Sequence, residues 1–280
     1  MAIYDVYGNP LNTDDGSNMS IREKAITSLD VEYGRYKGAS YYFIRIPKYT
    51  IDGKRLTPKI AITSANGSVS GTKVSTLTFA KREKTVFCLN AGLFKLGALT
   101  PEGQVIINGV SMNNTPMTSD NGTAIADDEC YPLCIDENGD LSAPYERSVD
   151  TSTMISDGVV HAVTAWGQFI ENYALADSSK FNEQVHKGAY VRQSIGQFQN
   201  GDYFVCTCDA KKGSITENEA GMTYETLAEL LISKGVKFAY SLDGGGSAET
   251  VIGDRQINPI FEGTVGRSVP TVIYFDVEDN

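Results

Sequence analysis

The chain has only two histidines, one tryptophan and five cysteines in 280 residues. Each scarcity narrows the chemistry. His161 and His186 are far apart in sequence, which argues against a Ser-His-Asp hydrolase and against a histidine-rich zinc centre. The cysteines are odd in number and form no Cys-x-x-Cys pair. Cys206 and Cys208 are two apart, Cys130 and Cys134 four apart, so five reduced, partly buried thiols are expected rather than a disulfide or zinc framework. Positive charge is also sparse. The formal net charge is −11, and the densest basic stretch, Lys81-Arg82-Glu83-Lys84, is short. No nucleic-acid partner and no docking on anionic membranes are expected. No apolar run reaches the roughly 20 residues that span a bilayer, so membrane insertion is not expected. The opening residues, Met1 to Pro10, lack the basic region and apolar core of a signal peptide. A chain synthesised in a cytoplasm is the expectation.

Glycine is plentiful, at 27 residues, and three of them are consecutive. Gly244, Gly245 and Gly246 follow an apolar run, Val236 to Leu242, that reads as a buried strand. Glycine in a regular element costs roughly 0.5–1 kcal/mol relative to alanine. A triple therefore marks positive φ angles or close approach of a ligand. Asp243 enters the loop and Ser247 leaves it, so a carboxylate, bare amides and a hydroxyl share one small space. A Walker loop requires Lys-Ser or Lys-Thr after its last glycine, and Ser247-Ala248 stands there instead. A dinucleotide fingerprint opens a helix, whereas Thr250 to Asp254 reads as strand and turn. A tight turn in which Asp243 caps its own backbone is the plain alternative.

The rest of the chain is rich in strand signals. Ser40–Ile46, Lys59–Thr63, Thr85–Leu89, Val105–Met112, Val159–Trp166, Tyr190–Gln197, Tyr203–Cys208 and Val269–Val277 carry the apolar, β-branched and aromatic residues of strands. Glu137-Asn138-Gly139-Asp140 and Asn200-Gly201 read as hairpin turns. Thr223–Ser233 is the clearest helix, with Thr223 as N-cap and Gly235 past its end. Ser20–Leu29 carries a capping box through Ser20 and Glu23, and Ser75–Lys84 reads as a polar, helical link. The expected fold class is α/β in the broad sense (α+β). It would be one strand-rich domain over residues 38–280 with a mixed β-sheet and few helices, preceded by an N-terminal arm over residues 1–37. That arm would dock on the main domain, on a second copy or on a partner.

Leu242-Asp243-Gly244-Gly245-Gly246-Ser247 resembles the signature of the phosphodiester glycosidase family. Asn90-Ala91-Gly92-Leu93-Phe94 is similar to that family's Asn-Ala-Gly-Phe-Phe turn. Val191-Arg192-Gln193-Ser194-Ile195-Gly196 stands where Pro-Arg-Thr and a glycine are usual, and Gly266-Arg267-Ser268-Val269 resembles its closing motif. These motifs occur in order between about Val86 and Phe275. The resemblance implies a hydrolase that cleaves the glycosidic bond of a sugar-1-phosphodiester, or a binding module that has kept the pocket. It implies a substrate-binding set of Asn90, Gly92, Arg192, Gly244, Gly245, Gly246, Ser247 and Arg267. Both arginines offer bidentate contacts to phosphate or carboxylate, or pair structurally with Asp243. Asp243 is the leading catalytic candidate, as base, metal ligand or acceptor for a sugar hydroxyl. Glu249 and Asp209 stand behind it: Glu249 replaces the small polar residue usual there, and Asp209-Ala210-Lys211 departs from Asp-Gly-Arg. The resemblance names no certain cofactor, and leaves a divalent cation open with Asp243 as its ligand. Ala2 to Asn9 also resembles the openings of some phage tail and prophage proteins. The resemblance implies a tail or virion setting and a carbohydrate or sugar-phosphate partner.

Overall fold

Antiparallel ladders organise the chain. The computed structural model describes residues 19–115, 131–177, 188–209, 221–261 and 266–278. Seven strands form the first sheet, in the spatial order β1 (Asp30–Tyr36), β2 (Ala39–Ile46), β15 (Tyr203–Cys208), β14 (Arg192–Phe198), β16 (Val236–Ser241), β12 (Gly167–Glu171) and β13 (Ala174–Leu175). The second sheet runs β10 (Leu141–Ser142), β9 (Leu133–Asp136), β11 (Val159–Val163), β7 (Gly103–Ile107) and β8 (Val110–Thr115). The third runs β18 (Arg255–Gln256), β17 (Thr250–Ile252), β4 (Phe87–Asn90), β19 (Thr271–Val277) and β3 (Leu56–Ile62). A short hairpin pairs β5 (Phe94–Lys95) with β6 (Thr100–Pro101).

The strand-rich α+β class is as expected, but the pairing differs from a mixed sheet. Every ladder between the described strands is antiparallel. Parallel neighbours need a crossover of a dozen or more residues, usually helical. Here the helical crossovers from β3 to β4 and from β15 to β16 each pass over an intervening antiparallel strand, so no parallel neighbours result. The Val159–Trp166 run, expected in the main sheet, contributes β11 to the second sheet, paired with β7 and β9.

Side chains alternate across a strand with a period of two, and both sets are apolar here. On β15, Tyr203 and Val205 face a central core, while Phe204, Cys206 and Cys208 face away. On β4, Phe87 and Leu89 face the same core and Cys88 faces away. On β9, Leu133 and Ile135 face it and Cys134 faces away. All three sheets thus share one interior, and each has its outer face covered by a helix. The helix α4 (Tyr224–Ser233) lays Leu227 and Leu231 on the first sheet. On the third, α2 (Thr76–Glu83) lays Phe79 and Ala80. On the second, α3 (Thr151–Ser156), capped by Asp150, lays Met154. This geometry buries the four described cysteines as free thiols under or beside helices. Cys130 lies outside the described residues.

The boundary expected after residue 37 falls inside a hairpin. Residues 1–18 are not described, but α1 (Ile21–Thr27) has its Ser20–Glu23 capping box and buries Ala25 and Ile26 in the central core. β1 pairs with β2 along its whole length, from Asp30↔Arg45 to Tyr36↔Ala39. The charges of Asp30, Glu32 and Arg35 hide this strand from a hydrophobicity reading, yet an edge strand carries such charges readily. Deletion of residues 1–37 is therefore expected to abolish cooperative folding, since β2 loses its partner and the core loses α1. A thermal melt followed by circular dichroism checks this. A truncated chain melting like the full one would restore the arm.

The β12–β13 turn has an unusual composition. Glu171 pairs with Ala174, leaving Asn172 and Tyr173 as a two-residue loop with φ angles of 48° and 66°. Both positions of such a turn favour asparagine, aspartate or glycine. Tyrosine in the left-handed region costs about 1–2 kcal/mol.

Candidate active site

The Asp243 peptide is gripped from both sides by the turn that follows β4. Its N–H donates to the Ala91 carbonyl at 3.0 Å, and its carbonyl accepts from Asn90 Nδ2 at 2.7 Å. Asn90 Oδ1 in turn accepts from the Glu249 N–H at 3.1 Å. One buried amide side chain thus spans the entry and exit of the glycine loop. Gly92 serves the same turn by close packing. A Cβ there would lie 2.4 Å from Val163 Cγ2 and 2.9 Å from the Thr164 carbonyl. Asn90 and Gly92, expected to bind substrate, instead brace the loop that carries Asp243. Asn90→Ala leaves the Glu249 N–H and the Asp243 carbonyl without these partners, an expected cost of about 2–4 kcal/mol. A thermal melt reads it, and an unchanged melting temperature would show that the loop holds its shape without this bracket.

Asp243 and the three glycines line a cavity of about 390 Å³, together with Trp166, Tyr190, Arg192 and Arg267. The carboxyl touches the cavity but is closely surrounded by protein. Burial pushes its pKa up from 3.8 to about 6. Hydrogen bonds from the Ser247 hydroxyl and the Gly244 amide, and the charge of Arg267, offset part of that rise. Ser247 Oγ also accepts from Arg267 Nη1 at 3.3 Å. Arg267, Ser247 and Asp243 therefore form one relay. A carboxyl with a pKa near neutrality in a cleft is suited to proton transfer.

The three glycines have different duties. The Gly244 amide is turned to the Asp243 carboxyl, and the Gly245 amide donates to the Val191 carbonyl at 3.0 Å. Anion binding in this cavity therefore rests on the arginines more than on a cradle of three amides. Arg192 is buried. Its Nε donates to the Met222 carbonyl and its Nη2 to the Gly188 carbonyl, each at 2.9 Å. Its guanidinium carbon lies 4.0 Å from the centroid of the Tyr224 ring. It is a fixed cation in the wall, already tied to backbone carbonyls.

The other two carboxylates are not brought to the cavity. Glu249 is buried and points to the start of α2, where its Oε2 accepts from the Leu77 N–H at 3.2 Å. Gly266 leaves room for it, since a Cβ at that residue would meet the Glu249 carboxyl at 2.3 Å. Asp209 ends β15, where its N–H donates to the Ser40 carbonyl. Among the described residues, the cavity lining carries one carboxylate, Asp243. No group of three or more His, Cys, Asp or Glu side chains is placed to hold a metal among the described residues. His161 is buried, its Nδ1 accepting from the Asn108 N–H at 3.3 Å. Burial, with Lys59 adding to it, lowers its pKa to about 4, so it is a neutral structural acceptor at ordinary pH. His186 lies outside the described residues. Leu96, Trp166 and Tyr190 complete the lining, and no local sequence pattern distinguished them from core aromatics and aliphatics.

Comparison with known proteins covers most of the chain. The model of the phosphodiester glycosidase family matches residues 83–276. The SPbeta prophage-derived uncharacterized protein YomE of Bacillus subtilis (strain 168) is 25% identical over 251 residues, covering 84% of this chain. This chain spans only 36% of that relative's length. Among solved structures, the zebrafish N-acetylglucosamine-1-phosphodiester alpha-N-acetylglucosaminidase catalytic domain, auto-inhibited by pro-peptide, superposes with a TM-score of 0.68. The sequence identity is 15%, over 94% of this chain and 85% of that one. A hypothetical protein from Synechocystis superposes with a TM-score of 0.63 at 13% identity, over 89% of this chain and 62% of that one. At these identities the two structures establish likeness of fold.

Proposed function

Since the chain belongs to the phosphodiester glycosidase family, we propose that its cavity hydrolyses the anomeric carbon–oxygen bond of a sugar-1-phosphodiester, with Asp243 as the base. The observation that carries this reading is the Asp243 carboxyl at the cavity wall, raised by burial and linked through Ser247 to Arg267. Ordinary glycosidases use two carboxyl groups, one to protonate the departing oxygen and one to act on the opposite face. A phosphodiester changes that requirement. Its leaving group is a phosphate monoester, an anion stable enough to depart without a general acid. One carboxylate then suffices on the protein side. Asp243 takes a proton from water as the water attacks the oxocarbenium-like carbon, and the departing phosphate carries the negative charge. Arg267 and the buried Arg192 offer positive charge to that anion.

The substrate class this favours is a phosphate-linked sugar of a surface glycan or glycopolymer. The prophage origin of one relative supports a phage tail or prophage particle as the setting. The test is release of free sugar from a panel of sugar-1-phosphodiesters, with and without a chelator. Release by the wild type at the expected bond supports the reading, and chelator sensitivity would add a divalent cation to it. Binding of sugar phosphates without turnover would instead make the chain a glycan-capturing module.

A further inference from the structure

A second, larger cavity opens at the opposite end of the first sheet, where the β9–β10 hairpin faces β12, β14 and β16. Its volume is about 620 Å³. On β14, Arg192 in one cavity and Gln197 in the other are five positions apart, roughly 16 Å of extended chain. We propose that this cavity is a second carbohydrate site that binds a neutral oligosaccharide and takes no part in bond cleavage.

The lining supplies the first argument. Gln168, Asn172 and Gln199 bring three planar amides to one space, and Phe238 adds an aromatic ring. A sugar hydroxyl both donates and accepts, and an amide side chain answers both needs from one plane. Gln197 shapes the wall, since both of its N–H donors are spent within the protein. Gln197 Oε1 accepts from the Leu141 N–H at 3.1 Å, and its Nε2 donates to Asp140 Oδ1 at 2.9 Å and to the Gly201 carbonyl at 3.2 Å. Gln168 is buried, with its Nε2 donating to the Ile170 carbonyl at 3.2 Å. The lining gathers no cluster of cations for a phosphorylated ligand, because Lys237 stands beside Glu171 and Asp140 is paired with Lys48 at 3.3 Å.

The strained turn supplies the second argument. Tyr173 occupies a left-handed position that glycine would fill without strain, next to Asn172 in the lining. The residue is 43% exposed, and its hydroxyl donates to Gln199 Oε1 at 3.3 Å. An aromatic residue held against its backbone preference, exposed and beside a polar cavity, provides a flat surface for the C–H face of a sugar ring. Strain kept at such a place points to function.

The test is titration of the full chain with maltotriose, cellotriose, chitotriose and a galactose trisaccharide, followed by calorimetry up to about 10 mM, well above a millimolar dissociation constant. At least one should bind. Tyr173→Gly removes the ring while relieving the turn, so its melting temperature should hold or rise while binding weakens about tenfold. Ser142→Trp, at an exposed lining position, should block binding and leave Asp243-dependent sugar release unchanged. Asp243→Asn should bind the trisaccharide like the wild type. Silence from all four sugars overturns the proposal. So does binding that survives both Tyr173→Gly and Ser142→Trp, or binding lost in Asp243→Asn, which would place the sugar in the glycine-loop cavity. Because this site is read by binding alone, failure of sugar-1-phosphodiester hydrolysis would leave its result intact.

Discussion

Asp243→Asn is expected to fold normally and to lose hydrolysis by about 100-fold or more, the loss that follows removal of a general acid–base group. Substrate binding should survive, since the amide keeps the shape of the carboxyl. The same substitution has a second consequence in stability. The folded pKa of about 6 lies above the unfolded value of 3.8, so the folded state holds an extra proton between those two pH values. Stability therefore falls as pH rises through that window, and the whole penalty stands above it. The penalty is at most about 3 kcal/mol, and less to the extent that cavity water screens the carboxyl. Asparagine escapes it. The variant should melt at or above the wild-type temperature at pH 8 and lose that advantage near pH 4. Activity of the wild type should rise with pH to a plateau above an apparent pKa near 6, as for a base. A fall above pH 6 would recast Asp243 as an acid, and full turnover in the variant would move the chemistry to another group.

Gly244→Ala is expected to cost far more than Gly245→Ala, although the two residues are adjacent in one loop. A Cβ on Gly244 would stand 2.4 Å from the Val191 carbonyl oxygen, while a Cβ on Gly245 meets nothing within 4 Å. The first cannot be relieved by a side-chain rotation, because the obstacle is backbone. The loop must shift, breaking the bond from the Gly245 N–H to Val191, and Asp243 shifts with it. A displacement near 1 Å at a reacting group costs about 100-fold in rate, so activity should fall by that order. At Gly245 the penalty is the left-handed φ of 57°, about 1–2 kcal/mol. Its new methyl group faces the cavity, so the Michaelis constant should rise more than the turnover falls. Equal losses in kcat for the two variants would show that the loop adapts and that Val191 sets no limit on it.

The glycine loop and the Asn90 turn were legible in the sequence because both depend on local backbone demands that few residue types satisfy. The helices α1, α2 and α4 announced themselves through Ser20, Ser75 and Thr223 at their N-caps. The run Val105–Met112, read as one strand, is a hairpin of β7 and β8 about Asn108-Gly109, and among the elements that were not legible are α3, β12 and β1. α3 has six residues, too short for a helical period to emerge. β12 contains a bulge between Gln168 and Ile170 that breaks its alternation against β16. β1 alternates charged with aromatic residues and acquires its place only by pairing with β2. At the site, both arginines named from the sequence line the cavity, but the sequence could not tell that Arg192 is already bonded to two carbonyls. It also could not give the direction of Glu249. That carboxylate follows Ser247 and Ala248 closely, yet a change of facing within two residues sends it under α2, away from Asp243. Side-chain direction after an irregular turn is a tertiary property.

The third sheet carries a consequence for the order of synthesis. β3 and β4 are made well before the strand that lies between them, β19, which is the last of the described strands. At roughly 5–20 residues per second, their shared partner reaches them some 10–40 s after β4 emerges. Until then both present open, apolar edges to whatever is near, and the central core lacks Ile273 and Phe275. A ribosome stalled before residue 271 holds a chain that cannot close its interior. The nascent protein should thus depend on chaperones until β19 emerges, and termination before it should yield aggregate in place of a smaller folded product.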